Sequence, residues 1–515
     1  MQPVKKNPYG VNAHEMSTYI PDYSLEGNDF LENIYPGRVK LLRSILKTCL
    51  PDMLWQQFIA WQNNDLQMAF FKDLQAVTGK KIEVFARPVA NFAPKYTEFK
   101  LFFDINQDDD KVHKNVYGFG QSFSSSGEAL TKAIGEFLER YFLSVDWAGE
   151  VRISTKKKLG RSAVTLKNMP GYLESQKKVE KNFVTRKNAE TTEIGWIKAE
   201  PLLGFFKKYV PSERVFWMPP GSSDNLGILN HSTSNGNAAH FTKQKAELAS
   251  LYELIERDGF MYYWLCKIAP YQIDVTTIRS PGLVRQRKFL ERYKLEVSFF
   301  DITTALNVPA VMCIVVDMSV TDDPKISVGA SAGFSLDKLI DGSFMEALVV
   351  QRHHAANQSK DVTFSKENYF FDKLFDGEDL NNRIYFWRGT KAVECLQFLY
   401  CGKKITYDDF YQNNFGQEFR SDRAEYSFVK KAFTRLVKKF GDSYKPYIYA
   451  VEHPYLRKIG YRVNCAVVMG LYPLYMVEYK VNLDIKNMAH WEETSNNKKL
   501  TWDGVVKNTH PHPFP

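Results

Sequence analysis

Hydrophobic positions along the chain follow helical and strand periods in turn. From Val39 to Leu74, Leu41, Leu42, Ile45 and Leu46 recur at helical spacing, and Trp55–Phe71 continues the pattern. This predicts a helical N-terminal portion behind an extended arm over residues 1–30. Two β-like stretches follow, Lys81–Val89 and Glu98–Ile105, and then a helix over Gly127–Ser144 that Ser122–Ser126 could cap. Residues 151–190 are polar and lysine-rich, and read as an exposed insertion. Trp196–Leu203 and Arg214–Met218 read as strands, and Thr242–Leu265 as a second helix behind the small-residue turn Ser232–Gly236. Apolar runs at Glu296–Asp301, Ala310–Asp317 and Ile326–Gly329 predict strands leading into a third helix, Leu336–His354. Strands and helices interleave again over Tyr447–Leu483. The fold class expected is α/β (α+β), with mixed sheets packed against helices.

Composition adds a frame. The 515 residues are 44% hydrophobic and 25% charged, the profile of a folded chain with a substantial core. A net charge of +9 without a long basic tail gives no reason to expect nucleic-acid binding. The basic runs Lys156–Lys158 and Lys177–Lys181 read as solvated surface, with a docking face for an acidic peptide or partner as the alternative. Six scattered cysteines show no C-x-x-C or zinc-finger spacing. Neither an apolar signal segment nor a membrane-length run is present, so the expected compartment is the cytoplasm.

Candidate chemistry lies on the first two predicted helices. Both spell Glu-x-x-Glu-Arg: Glu136-Phe-Leu-Glu139-Arg140 and Glu253-Leu-Ile-Glu256-Arg257. Spacings of three and four put two carboxylates and a guanidinium on one side of a helical turn. One such motif is commonplace as a surface salt-bridge face. Here Phe137, Leu138 and Phe142, and Leu254, Ile255 and Phe260, flank the charges, which predicts burial. Carboxylates pressed together in a buried place raise each other's pKa unless a cation sits between them. Hard oxygen donors beside phosphate-gripping arginines suit a Mg–nucleotide site. Two surface faces remain the bland alternative.

The sequence resembles the YcaO family. The resemblance is carried by Gly118-Phe-Gly-Gln-Ser122 leading to Glu139-Arg140-Tyr141, by Ser234-Asn-Gly236 leading to Glu256-Arg257-Asp258, by Gly329-Ala-Ser-Ala-Gly333, and by Val468-Met-Gly-Leu-Tyr-Pro-Leu474. It implies a YcaO-like catalytic domain over 75–515, following an N-terminal arm and helical portion over 1–74. It also implies ATP and Mg²⁺ as cofactors, with Glu136, Glu139, Glu253 and Glu256 as metal ligands. Arg140, Arg257, Glu346 and Arg352 would be nucleotide-binding, with Arg38 and Ser44 as weaker matches. Departures from the family pattern fall at His240-Phe241, Lys245 and Val349.

The ending Pro511-His-Pro513-Phe-Pro515 resembles the Pro-x-Pro-x-Pro close of the azoline-forming members. Alternating prolines stiffen such a tail, so that over 509–515 the carboxylate of Pro515 could reach a defined place, and the resemblance makes it the candidate catalytic base or proton-positioning group. The resemblance implies ATP-dependent activation of backbone amides in a ribosomally made precursor peptide, closing Cys, Ser or Thr side chains to thiazoline or oxazoline rings. It further implies a separate E1-like, leader-peptide-binding partner and, for azoles, a flavin dehydrogenase; a homodimer is left open. Two alternatives stand beside it: a thioamide-forming enzyme, and a degenerate paralogue acting as a scaffold.

Overall fold

The computed structural model describes residues 74–78, 82–87, 96–103, 116–123, 126–144, 149–217, 226–320, 324–356, 383, 386–415, 419 and 421–514. The arm over 1–30, nearly all of the helix expected from Val39, and the candidates Arg38, Ser44 and Pro515 therefore lie outside the described residues.

Strands follow in order as β1 (Ile82–Arg87), β2 (Thr97–Phe103), β3 (Tyr117–Ser122), β4 (Arg152–Thr155), β5 (Glu193–Pro201), β6 (Lys208–Pro211) and β7 (Asn237–His240). The second half holds β8 (Tyr271–Ile273), β9 (Leu295–Asp301), β10 (Ala310–Asp317), β11 (Lys325–Ala332), β12 (Lys404–Ile405), β13 (Tyr447–Ala450) and β14 (Arg462–Val467). Among the described residues they form three sheets, in the orders β1-β2-β3, β11-β10-β9-β8-β12, and β4-β5-β13-β14-β7 with β6 on β5. Every pairing is antiparallel except β8 with β12.

The principal helices are α1 (Ser126–Phe142), α2 (Lys243–Leu265), α3 (Pro281–Arg292), α4 (Leu336–Ala356), α5 (Asp422–Phe440) and α6 (Ala489–Asn497). α1 buries Ala129, Leu130, Ala133, Ile134, Phe137, Leu138 and Tyr141, one continuous stripe at spacings of three and four, against β2 and β3. In β2 the period is two, with Phe99, Leu101 and Phe103 facing that stripe. β10 is buried at every position, which is why its sequence runs apolar without alternation. Thr242 caps α2, its hydroxyl accepting from Lys245 N at 3.3 Å. α1, α2 and α4, with the β9–β11 ladder, fall where the periodicity predicts them.

Two expectations change. Residues 151–190 expose their lysines but bury Leu159, Ala163, Val164, Leu166, Met169, Tyr172, Phe183 and Val184. The polar composition hid a sparse apolar set, of which Leu159, Ala163, Val164, Leu166, Met169 and Val184 join the core that the six-stranded sheet also lines. Of the strand expected over Arg214–Met218, the described residues Arg214–Trp217 form none. β6 ends at Pro211, which lacks the N–H a ladder needs, and Ser212–Arg214 turns as a 3₁₀ helix.

Where strands cross helices closely, glycine is obligatory. A Cβ on Gly120 would lie 1.8 Å from Ala129 O, and one on Gly118 2.1 Å from Ala133 O. Gly329 stands likewise against α4, 2.4 Å from Ser343 O.

Behind the second motif, Asp258 is fully buried and fastens three segments. It accepts from Tyr472 N (2.8 Å) and Trp491 Nε1 (3.1 Å), and its other oxygen meets His490 Nε2 at 2.7 Å. The tail is packed rather than frayed. His512 and Phe514 are fully buried, and the core Arg383–Glu478 ion pair (2.6 Å) also holds the tail through a bond from Arg383 Nη1 to His512 O (3.0 Å).

Candidate active site

Three strand-to-helix units converge, and each secures one glutamate in the same way. Phe119 N, at the middle of β3, donates to Glu136 Oε2 on α1 at 2.7 Å. Gly236 N, entering β7, donates to Glu253 Oε2 on α2 at 3.2 Å. Ala330 N, in β11, donates to Glu346 Oε2 on α4 at 2.8 Å. The bonded partners are 17, 17 and 16 residues apart. The units are contiguous, because α1 also rests on β7, and α2 on β11. Fixing one oxygen to the main chain leaves each carboxylate's second oxygen to face its neighbours.

Two arginines occupy that space. Arg140 pairs with Glu136 Oε1 at 2.6 Å, while Arg257 stands 3.5 Å from Glu253 Oε1 and 3.5 Å from Glu256 Oε1. Aromatic rings hold both guanidinium groups. Arg140 lies 4.2 Å from the centroid of Tyr117 and 5.4 Å from that of Trp217; Arg257 lies 4.3 Å from that of Phe514. The Nε of each is buried without a hydrogen-bond acceptor. Glu136 and Glu253 keep 27% and 21% side-chain exposure, so the cluster is recessed yet reachable from solvent.

The electrostatics are those of crowded carboxylates. Burial, then Glu253 and Glu136, hold Glu139 well above the usual carboxylate range, against the pull of both arginines. Burial pushes Glu253 up to about 7, with Arg257 and the Gly236 N–H opposing and Glu346 adding. Glu256 is raised well above its ordinary value by burial, against Arg257, with Glu346 and Glu253 contributing. Glu346 is raised by burial, with Arg257 and the Ala330 N–H opposing and Glu136 adding. Burial lowers the Arg140 guanidinium, but Glu136 and then Tyr117 raise it by more. Glu139, Glu253, Glu256 and Glu346, raised together, thus form one cluster with Glu136 from three helices, an environment that an added cation would relieve.

Such a donor set fits Mg²⁺, which prefers few carboxylates together with phosphate and water oxygens. The open N–H groups of the arginines fit a polyphosphate. Among the described residues no three Asp, Glu, His or Cys side chains gather at one metal-ligating point. The arginines stand between them.

The structure brings Glu136, Glu139, Glu253, Glu256, Arg140, Arg257 and Glu346 together. It places Arg352 over the ring of Tyr96, 5.2 Å from its centroid. Of the departures, Lys245 pairs with Asp422 on α5 at 3.2 Å, Phe241 packs on Tyr461, and Val349 packs into the core beneath α4. Sequence reasoning missed the ring partners Tyr117 and Trp217, and missed that Glu346 repeats the anchoring of Glu136. The recurrent glycine-bearing strand 16–17 residues before each glutamate was the available signal.

No curated protein matches the sequence. Solved structures do, at low identity. A heterocyclase in complex with substrate and cofactor gives a TM-score of 0.63 at 16% identity, over 84% of this chain and 55% of that one. The chain thus spans about half of that protein's length. The heterocyclase TruD gives 0.52 at 14% identity, over 94% and 71%. YcaO from Methanopyrus kandleri, bound with AMPPCP and Mg²⁺, gives 0.52 at 15% identity, over 82% and 93%. The family model described as YcaO cyclodehydratase, ATP- and Mg²⁺-binding, matches residues 120–471, a span that contains all five clustered glutamates. On that match, and on the fold it shares with these structures, the chain belongs to the YcaO family.

Proposed function

We propose that this protein is an ATP- and Mg²⁺-dependent cyclodehydratase that closes Cys, Ser or Thr side chains of a precursor peptide onto the preceding amide. The observation that carries the reading is the three-unit carboxylate cluster with its two stacked arginines. Glu136, Glu139, Glu253, Glu256 and Glu346 would hold the metal, and Arg140 and Arg257 the phosphates. Bound there, Mg–ATP would supply the phosphoryl group that converts an amide oxygen into a leaving group. The chain's part is to fix that group in place and to neutralise its charge with groups already oriented. One structural relative is a heterocyclase in complex with substrate and cofactor, which supports a site on this fold that takes both.

Ring closure is favoured over thioamide formation by the Pro-x-Pro-x-Pro segment, which is packed against the cluster through Phe514.

The scaffold reading draws on the arginines that keep the carboxylates from a common point. Calorimetry with Mg²⁺ and a non-hydrolysable ATP analogue separates the two, since a scaffold shows no binding. The activity itself is tested by incubating the protein with ATP, Mg²⁺, a precursor peptide rich in Cys, Ser and Thr, and a leader-binding partner. Loss of one water per ring by mass spectrometry supports the proposal. Exchange of oxygen for sulfur, or an unmodified peptide with the partner present, opposes it.

A further inference from the structure

Phe514 is fully buried, yet its ring faces a charge. The guanidinium carbon of Arg257 lies 4.3 Å from the ring centroid, and the ring of Phe260, one turn along the same helix, lies 5.1 Å away. The segment that carries Phe514 is fastened along its length. Lys507 N and Asn508 N both donate to Leu265 O, at 2.8 and 3.0 Å. Trp264 Nε1 donates to His510 O at 3.3 Å, Arg383 Nη1 to His512 O at 3.0 Å, and His512 Nε2 to Tyr475 O at 2.6 Å. A ring held this firmly sets the plane of whatever stacks on it.

Arg257 needs such a constraint. Its contacts to Glu253 and Glu256, at 3.5 Å each, are long and equal, so neither fixes the fork. Arg140, by contrast, has a short pair at 2.6 Å with Glu136. We propose that Phe514 is a positioning residue for Arg257: its face pins the guanidinium plane so that the N–H fork meets a nucleotide's phosphates in register. This rests on the reading of the cluster as a Mg–nucleotide site. It gives the tail a task in nucleotide binding that is separate from any chemistry of the terminal carboxylate.

The test is a cycle of Phe514→Leu, Arg257→Lys and the double variant, read by calorimetric titration with Mg²⁺ and a non-hydrolysable ATP analogue. Leucine keeps an apolar filling and removes the π face. F514L is expected to weaken binding by about tenfold, the scale of a desolvated cation–π contact. Phe514→Tyr, which keeps the face, should bind within about twofold of the parent. If the ring works through the arginine, the double variant binds no more weakly than R257K alone. The cycle cancels any general loss of packing, because that loss is present with and without the arginine. Unchanged affinity in F514L, or losses that simply add in the double variant, overturns the inference alone. A parent protein that binds no nucleotide overturns the site reading, and this inference with it.

Discussion

Ala330 N donates to Glu346 Oε2 at 2.8 Å, and Phe119 N makes the same strand-to-helix bond to Glu136 at 2.7 Å. Glu346 is therefore built into the cluster by the same local design as the first motif, although its helix lacks the Glu-x-x-Glu-Arg spelling. In Glu346→Gln the amide oxygen can keep the bond to Ala330 while the charge is lost. Mg–nucleotide affinity should fall roughly tenfold or more, with little change in thermal unfolding. Calorimetry beside a melting curve checks both halves.

The glycines on β3 yield a stability prediction. A methyl on Gly120 would lie 1.8 Å from Ala129 O, a backbone atom that cannot swing aside. Gly120→Ala should cost about 1–3 kcal/mol or more through overpacking, read as a lower urea midpoint at unchanged slope. Because β3 and α1 separate together with Glu136, nucleotide affinity should fall in the same variant.

The crowded carboxylates fix a pH dependence. Glu253 titrates near 7 in the fold, against an ordinary value of 4.5. Between these values the folded protein binds more protons than the unfolded chain, so this group's contribution is complete below about pH 4.5 and is lost as pH rises through about 7. Without Mg²⁺ and nucleotide, stability should decline over that window; with both bound, the decline should flatten. Binding needs the carboxylate form, so titrations below about pH 7 should release protons. Repeating them in two buffers of different ionisation enthalpy measures that release, and identical heats would count against it.

Asp258 should be intolerant of truncation. Its carboxylate is fully buried between His490, Tyr472 N and Trp491 Nε1. Asp258→Ala leaves those donors without a partner and should cost about 3–5 kcal/mol. Chemical denaturation reads that loss directly.

Much of this molecule can be read from its letters, and the limits are physical. α1, α2 and α4, with β9 to β11, are amphipathic or continuously apolar, so one-dimensional periodicity locates them. Arg214–Met218 looks like a strand by composition, but Pro211 ends the ladder before it begins. In residues 151–190 the apolar residues sit too far apart for a period, and lysines mask their burial. Within the site, the glutamates and arginines betray themselves by recurrence. Tyr117 and Trp217 do not, because a ring that stacks on an arginine is indistinguishable in sequence from one that fills a core.

The main-chain bonds to Glu136 and Glu346 bear on how far such a sequence can drift. An N–H belongs to every residue except proline, so positions 119 and 330 can exchange side chains while the carboxylates stay in place. Selection then acts on few letters: the acids themselves and the glycines that let strand and helix touch. A fold shared at only 14–16% identity agrees with that economy, because the addresses of these carboxylates are written in the backbone.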